Sequence, residues 1–453
     1  MAETGAAAGP AGPLGILACG GPLPLEIAEA GGRAGRPIHI VAIQGFADPA
    51  VERYPHEWVS LGQLGRILTS FKRAGVREMV IAGSMQRPNL LALRVDLGFF
   101  RYLPTILALT KGGDDSVLRR VVRFFEQQDL TVLGVRETAP DLLAPVGPLT
   151  RLAPIAAHMA MIESASRLIA DLGSFDVGQA VVADAQGIVA VEGSRGTDAL
   201  LGDLGPRGTG EGRGKGAVLV KLAKPGQEMR IDLPTIGPET VRRAEAAGLV
   251  GVGVGAGGAI VLERARVAAA ADAAGLFVCG LVPQIDVEQR MATALDESTA
   301  PVEPSVLTVA ARRAPTPGDR NDIAIGRRLM AVLRTHAAGP AAIVAAEHVM
   351  AISAQLPLAS FVAAQGRPSS WGRRTFRGRL GVLMLDPLAA SPISRASEEM
   401  QPYLDAPLFR SAQQSGLAGI VWLAALPTDA RRREIEAWAD EAGVFLMSED
   451  GAR

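Results

Sequence analysis

The chain has 453 residues, of which 48% are hydrophobic, and a formal net charge of -1. That length supports roughly two to four domains with sizeable cores, and the near-neutral balance without a basic block excludes a general nucleic-acid binder. Two cysteines, Cys19 and Cys279, exclude a disulfide framework and fit a reducing compartment. With only five histidines beside them, a His/Cys zinc site is not expected. A metal site would rest on carboxylates, which favours Mg²⁺ or Mn²⁺.

The N-terminal stretch MAETGAAAGPAGP carries an early Glu3 and no basic segment before an apolar run, so no signal peptide is expected. The longest apolar run, residues 249–262, is glycine-rich and shorter than the roughly 20 residues a spanning helix needs. The expected location is the cytoplasm.

Residues 14–18 form a short apolar run ending in Cys19-Gly20-Gly21-Pro22, and helical spacing follows over 23–30. Residues 38–42 read as a strand, 61–73 as a helix and 79–82 as a strand. Lys111-Gly112-Gly113-Asp114-Asp115 opens a helix to about residue 128, and 131–135 reads as a strand. Strand–helix alternation with short links predicts an open, mostly parallel, Rossmann-like sheet over residues 1–150.

A second, mixed α/β domain is expected over 151–290. It opens with an amphipathic helix at 155–172. GQAVVADAQGIVAVE, residues 178–192, then reads as a hairpin turning at Gln186-Gly187. A strand at 217–220, a helix at 238–247, a strand at 249–254, a helix at 267–274 and a strand at 276–278 complete it. Residues 291–320 are rich in proline and alanine and read as a linker, and a third block spans 321–453.

The densest charge lies in KLAKPGQEMRIDLPTIGPET, residues 221–240. Lys221 and Lys224 leave a strand end, and Pro225-Gly226 marks a turn. Beyond it, alternation predicts a strand with Glu228, Arg230 and Asp232 on one face and Met229, Ile231 and Leu233 on the other. Paired carboxylates can hold a hard cation, and Lys or Arg can neutralise phosphate oxygens. An ordinary solvated sheet face would show the same mixture. Glu192, Gly-Thr-Asp at 196–198 and the glycine-rich loop 205–216 lie nearby in sequence, and such loops let backbone N–H groups approach phosphates. Gly20-Gly21 ends a strand before a helix, where nucleotide phosphates bind in open α/β sheets. Arg87, after another strand, could face the same crevice. Asp114-Asp115 also reads simply as a helix N-cap pair.

GILACGGPLPLEIA, KGGDDSVL, DVGQAVVADAQGIVAVEG, GTD, KGAVLVKLAKPGQEMRIDLPTIGPET and ADAAGLFVCG follow one another over residues 12–284. In that order they resemble the metal-dependent, two-domain UDP-2,3-diacylglucosamine pyrophosphatases of lipid A synthesis, not the calcineurin-like type. The resemblance implies hydrolysis of UDP-2,3-diacylglucosamine to UMP and 2,3-diacylglucosamine 1-phosphate with Mg²⁺ or Mn²⁺. It implies a substrate between the two domains and transient contact with the inner membrane surface. It assigns Asp232, Glu228, Lys221 and Arg230 to catalysis. Gly20, Gly21, Asp114, Asp115, Thr197, Asp198, Lys224 and Gln227 go to substrate binding, and Glu192, Glu228 and Asp232 to the metal. Three positions depart from the family. Arg195 stands where a Glu is usual, Glu228 where an Asp is usual, and an Arg is missing near residues 201–204. Those departures keep a rival open: a catalytically silent protein that binds the nucleotide or a partner.

The third block reads as a degenerate copy of the second domain. GPAAIVAAEHVMAISA from Gly339, GVLMLD from Gly381, SGLAGI from Ser415 and ADEAGVFL from Ala439 follow the order of their counterparts from Gly178, Gly216, Ala247 and Ala271. The alignment sets Ser353 against Glu192, Asp386 against Lys221 and Ala389 against Lys224. A homodimer, or a pseudo-dimer through this repeat, is the expected assembly.

Overall fold

The computed structural model describes residues 12–85, 114–204, 216–282, 307–353, 358–365, 381–390, 403–426 and 429–449. Arg87, Gly112-Gly113, the loop 205–215 and most of the proline-rich stretch lie outside them. The fold is α/β throughout. Residues 1–145, 227–237 and 256–267 form one compact unit, and 146–226, 238–255 and 268–453 form the other.

The first unit is built on β1 (Leu14–Ala18), β2 (Ile38–Ile43), β3 (His56–Val59), β4 (Glu78–Ala82) and β5 (Thr131–Leu133). Their order is β3-β2-β1-β4-β5, and every pairing is parallel. The strands β1 and β2 are near-continuous apolar runs because both faces are covered. Helix α1 (Leu23–Arg33) sends Ile27 and Ala28 to one face, and α2 (Leu64–Arg73) sends Ile67 and Phe71 to the other. Helix α3 (Asp114–Glu126) adds Val122, Phe124 and Phe125 to the second face. Strand β3 had no clear sequence signal: HEWV is short, polar and at the sheet edge.

The second unit holds two six-stranded sheets. The first is β6 (Gly147–Pro148), β7 (Ala180–Asp184), β8 (Gly187–Val191), β9 (Val218–Lys221), β11 (Gly251–Gly255) and β13 (Phe277–Leu281), in the order β6-β13-β11-β9-β7-β8. Short β10 (Thr235–Ile236) and β12 (Ile260–Val261) pair separately in the first unit. Helix α4 (Ala156–Leu172) packs Ile162, Ala165, Leu168 and Ile169 into the core. The hairpin turns at Ala185-Gln186, one residue earlier than expected, because Asp184 Oδ1 accepts from the Gln186 N–H and Gly187 takes a φ of 129°. Helices α5 (Gly196–Asp203), α6 (Pro238–Ala246) and α7 (Arg264–Ala274) complete this block.

The other sheet comprises β14 (Leu307–Val309), β15 (Ala341–Ala345), β16 (His348–Ser353), β17 (Val382–Leu385), β18 (Gly419–Trp422) and β19 (Phe445–Glu449). Its order is β14-β19-β18-β17-β15-β16. Helix α8 (Pro317–Thr335) precedes β15, with α9 (Leu358–Gln365), α10 (Ala406–Ser415) and α11 (Asp429–Ala442) after it. Position for position, the two sheets match in order and in the sense of every pairing. Both hairpins also carry a register shift at the same ladder step, after Val182 and after Ile343.

The register corrects the residue matching made by sequence. Ala180 pairs Lys221, and Ala341 pairs Leu385, so Leu385 rather than Asp386 stands at the Lys221 position. Asp386 lies one step further on, fully buried, where it binds Arg334 Nε at 2.8 Å. Ser353 does face Ala341 as Glu192 faces Ala180.

One packing detail recurs in both sheets. A Cβ on Gly251 would lie 2.3 Å from the Phe277 ring, and one on Gly419 would lie 2.2 Å from the Phe445 ring. Gly251→Ala and Gly419→Ala are each expected to lower the unfolding free energy by about 1–3 kcal/mol, the usual penalty for overpacking. Gly32→Ala, with open space around it in α1, should not be destabilising. Urea titration of the three variants checks this.

Candidate functional site

The stretch 221–232 divides where the chain passes between units. Lys221 and Lys224 belong to the second unit, and Gln227, Glu228, Arg230 and Asp232 belong to the first.

In the second unit, Lys221 ends β9 beside Ala180 of β7. On the other side of β7, the Glu192 N–H donates to the Ala180 carbonyl at 2.8 Å. The chain then bends through Gly196, at φ 80°, into α5, which places Thr197 in the helix's first turn. Thr197 Oγ1 donates to Glu192 Oε1 at 2.7 Å, and Lys221 Nζ donates to Thr197 Oγ1 at 2.8 Å. All three residues are buried: Glu192 is 5% exposed, Thr197 9% and Lys221 8%. Burial pushes the Glu192 carboxyl above its ordinary range, and the Lys221 charge pulls against that rise. Its second oxygen, Oε2, has no hydrogen-bond partner among the described residues. A buried lone pair without a donor is costly, so it marks a position for an incoming proton or donor.

Lys224 is also buried and bonds to Asp176, a residue in the left-handed region with φ 54°. No sequence motif announced Asp176; Asp tolerates that conformation better than most residues. Asp198, in contrast, is exposed, with Arg243 Nε 3.5 Å away. The reversed charge at Arg195 is met locally, because Arg195 bonds to Asp203 at the far end of α5.

In the first unit, residues 228–233 are a turn, not the expected strand. The N–H groups of Ile231 and Asp232 both donate to the Glu228 carbonyl, at 3.2 and 3.0 Å. Ile231 and Leu233 still reach the core, but they enter clusters on opposite faces of the parallel sheet. That anchoring explains why the segment folds with the first unit. Arg230 Nε and Nη2 grip both oxygens of Glu228, at 2.7 and 2.8 Å, and Nη1 reaches Glu126 at 2.8 Å. The guanidinium holds the Glu228 carboxyl below the ordinary range. Gln227, 6% exposed, donates to Asp232 Oδ2 at 2.6 Å.

The order of the parallel sheet reverses between β1 and β4, and ligands of open α/β sheets bind at that switch point. Gly20 sits there. Its N–H donates to the Ser84 carbonyl and its carbonyl accepts from the Ser84 N–H, both at 2.8 Å. A Cβ on Gly20 would lie 2.9 Å from the Ser84 oxygen, and Gly21 takes φ 86°, so both positions require glycine. Ser84 was not singled out in the sequence. Asp114 and Asp115 open α3, and their side chains lie outside the described residues.

Glu192, Glu228 and Asp232 are the residues expected to hold a metal. Among the described residues, no group of three His, Cys, Asp or Glu side chains could hold a metal ion. Glu228 is taken by Arg230, and Glu192 sits with a hydroxyl and an ammonium rather than with other carboxylates. Asp232, a hard oxygen donor, fits the other way Mg²⁺ binds, through one or two carboxylates plus substrate phosphates.

Residues 13–142 match the family model described as the LpxI N-terminal domain, and residues 145–279 match the LpxI C-terminal domain. The chain is 39% identical over 274 residues to the UDP-2,3-diacylglucosamine pyrophosphatase LpxI of Caulobacter vibrioides, a match covering 60% of this chain and 98% of the relative.

Removing Lys221 strands a buried carboxylate. Lys221→Met is therefore expected to cost about 3–5 kcal/mol, and Lys221→Met with Glu192→Gln much less. The pH sign is also fixed. A raised Glu192 pKa means the folded chain binds that proton more tightly than the unfolded chain, so this residue's contribution falls as pH climbs from the ordinary glutamate value. Glu192→Gln should flatten that part of the stability–pH curve, measured by chemical denaturation.

Proposed function

The chain belongs to the LpxI family, and on that premise we propose that it hydrolyses UDP-2,3-diacylglucosamine to UMP and 2,3-diacylglucosamine 1-phosphate. The buried Glu192–Thr197–Lys221 row carries the reading. A solvated sheet face would not bury an ammonium and a carboxylate at such cost; a site that must neutralise phosphoryl charge gains from both. Hydrolysis of a phosphoric anhydride asks mainly for positioning and charge neutralisation. Lys221 and Lys224 are assigned to phosphate oxygens. Thr197 holds the Lys221 ammonium in place, and the Glu192 carboxyl holds Thr197.

Asp232 is assigned to the attacking water. Gln227 fixes its carboxylate through Oδ2, which orients the group for accepting a proton. Arg230, locked by Glu228 and Glu126, shapes the turn that presents Asp232 and is reassigned from catalysis to positioning. Glu228 likewise becomes a structural partner of Arg230. Gly20 and Gly21, at the switch point just before α1, are assigned to the nucleotide. Mg²⁺ or Mn²⁺ is the proposed cofactor, and Asp232 is the residue that would hold it together with substrate oxygens. When bound, the ion would supply charge neutralisation and a more acidic water. The substrate is an acylated lipid, which implies a meeting with a membrane surface. Among the described residues no helix is long and apolar enough to cross one.

The rival reading, a silent binding protein, rested on Arg195 and Glu228. Both charges are paired within a few residues, by Asp203 and Arg230, so neither departure introduces an unmatched charge. The two readings part in one assay. Purified protein with UDP-2,3-diacylglucosamine and Mg²⁺ should release UMP and the lipid monophosphate in equal amounts, and excess EDTA should stop it. Asp232→Asn should keep the parental melting temperature and lose about 10²–10⁴-fold in turnover, the usual range for a general base. Nucleotide binding without UMP release would overturn the assignment.

A further inference from the structure

Each of the two matched sheets in the second unit ends in its hairpin strand, β8 in one and β16 in the other. An uncovered edge strand offers unpaired N–H and C=O groups and pairs readily with another chain. Here the two edges lie beside each other. The Ser194 N–H, just beyond β8, donates to the Met350 carbonyl of β16 at 3.0 Å. Gly193 fits so closely that a Cβ would lie 2.9 Å from that oxygen and 3.2 Å from Ala351 Cα.

The helices before the two hairpins also meet, α4 against α8. His336, just past the end of α8, bonds to Asp171 near the end of α4 at 2.6 Å. Phe175, just past the end of α4, lies under the Arg328 guanidinium of α8 at 5.7 Å. The contact is thus reciprocal in kind, as in a two-fold dimer, where a patch meets its own copy. Beneath it the two modules share one hydrophobic cluster, with Leu168, Val181 and Val220 from one and Leu329, Ala342 and Met384 from the other.

The second module keeps this face and has lost the polar one. Where the first module buries Glu192 and Lys221, ladder-equivalent positions hold Ser353 and Leu385. Leu385 joins Leu358 of α9 in a core that also holds Tyr403, Phe409 and Trp422. A buried charge row has been replaced by close-packed apolar side chains.

We propose that residues 307–449 are an internal partner subunit: a duplicated module, stripped of its polar site, that occupies the face on which a second copy of the chain would otherwise dock. The chain is then a single-chain pseudo-dimer with one polar site, and its α4–β8 face is closed to other molecules. This holds whether or not the polar site hydrolyses a pyrophosphate.

Sedimentation equilibrium of the full chain, diluted from micromolar to nanomolar, is expected to give one-chain mass, 47.1 kDa, throughout. A concentration-dependent doubling overturns the proposal. Hydrogen exchange on the same sample should find the Ser194 amide protected. Gly193→Val, which drives a side chain into the Met350 carbonyl, should lose that protection and self-associate through the bared edges. A Gly193→Val chain that stays monomeric with parental Ser194 protection overturns it. If that variant does not fold, the parent decides alone: a Ser194 amide exchanging like an open one means the face is not occupied.

Discussion

Glu192, Thr197 and Lys221 are buried in one hydrogen-bonded row, and much of the second unit's design follows from making that row tolerable. An isolated charge in an apolar interior costs several kcal/mol, so carboxylate and ammonium must both be present and must be joined. That requires the end of β9 and the exit of β8 to flank the same residue of β7. It also requires a glycine bend that returns the chain within a few residues so that Thr197 can bridge them. The parallel strands β11 and β13 fix β9 from the other side. A slip of one residue in β9 would move Lys221 to the opposite face, among the residues of the shared hydrophobic cluster.

The matched sheet shows the same ladder without that constraint. With Ser353 and Leu385 at the corresponding steps, no pair of charges has to be joined there, and Leu385 packs with Leu358, Tyr403 and Leu404 instead. Strand order, hairpin bulge and the glycine under an aromatic ring are common to both sheets, since those are demands of backbone pairing and packing density rather than of chemistry. Two polar features are particular to the second module. Asp386 is bound by Arg334. Asp322, its carboxyl raised to about 6 by burial, accepts from the N–H groups of Ala346 and Glu347 at the hairpin turn. Both hold loops rather than offering a site.

Beyond Pro225-Gly226 a different logic applies. Gly226, at φ 78°, releases the chain from the β9 direction, and the next residues close a tight turn over the first unit. Arg230 there pairs with Glu228 within the turn and with Glu126 outside it. Such partly exposed pairs are each worth only about 0–1 kcal/mol. The turn is held mainly by burial of Ile231 and Leu233, and the charges serve to fix its shape.

Periodicity and composition determined most of the elements. The apolar runs of β1, β2, β7 and β9 and the helical spacing of α2 and α4 were all legible, because burying a strand or a helix face imposes a pattern on nearest neighbours along the chain. Motif order likewise marked the family. The sequence misled where that local pattern had a non-local cause. The alternation in 228–233 suits a strand, yet among the described residues no strand pairs with it, and two apolar residues two apart can equally enter different cores from a turn. Which unit the turn joins, that Arg230 bonds to both oxygens of Glu228, that Asp176 and Asp203 answer Lys224 and Arg195, and that Leu385 rather than Asp386 faces Ala341 were decided by tertiary structure alone. Each depends on which strands and loops lie side by side, and hydrogen bonding between residues distant in sequence leaves no periodic trace in it.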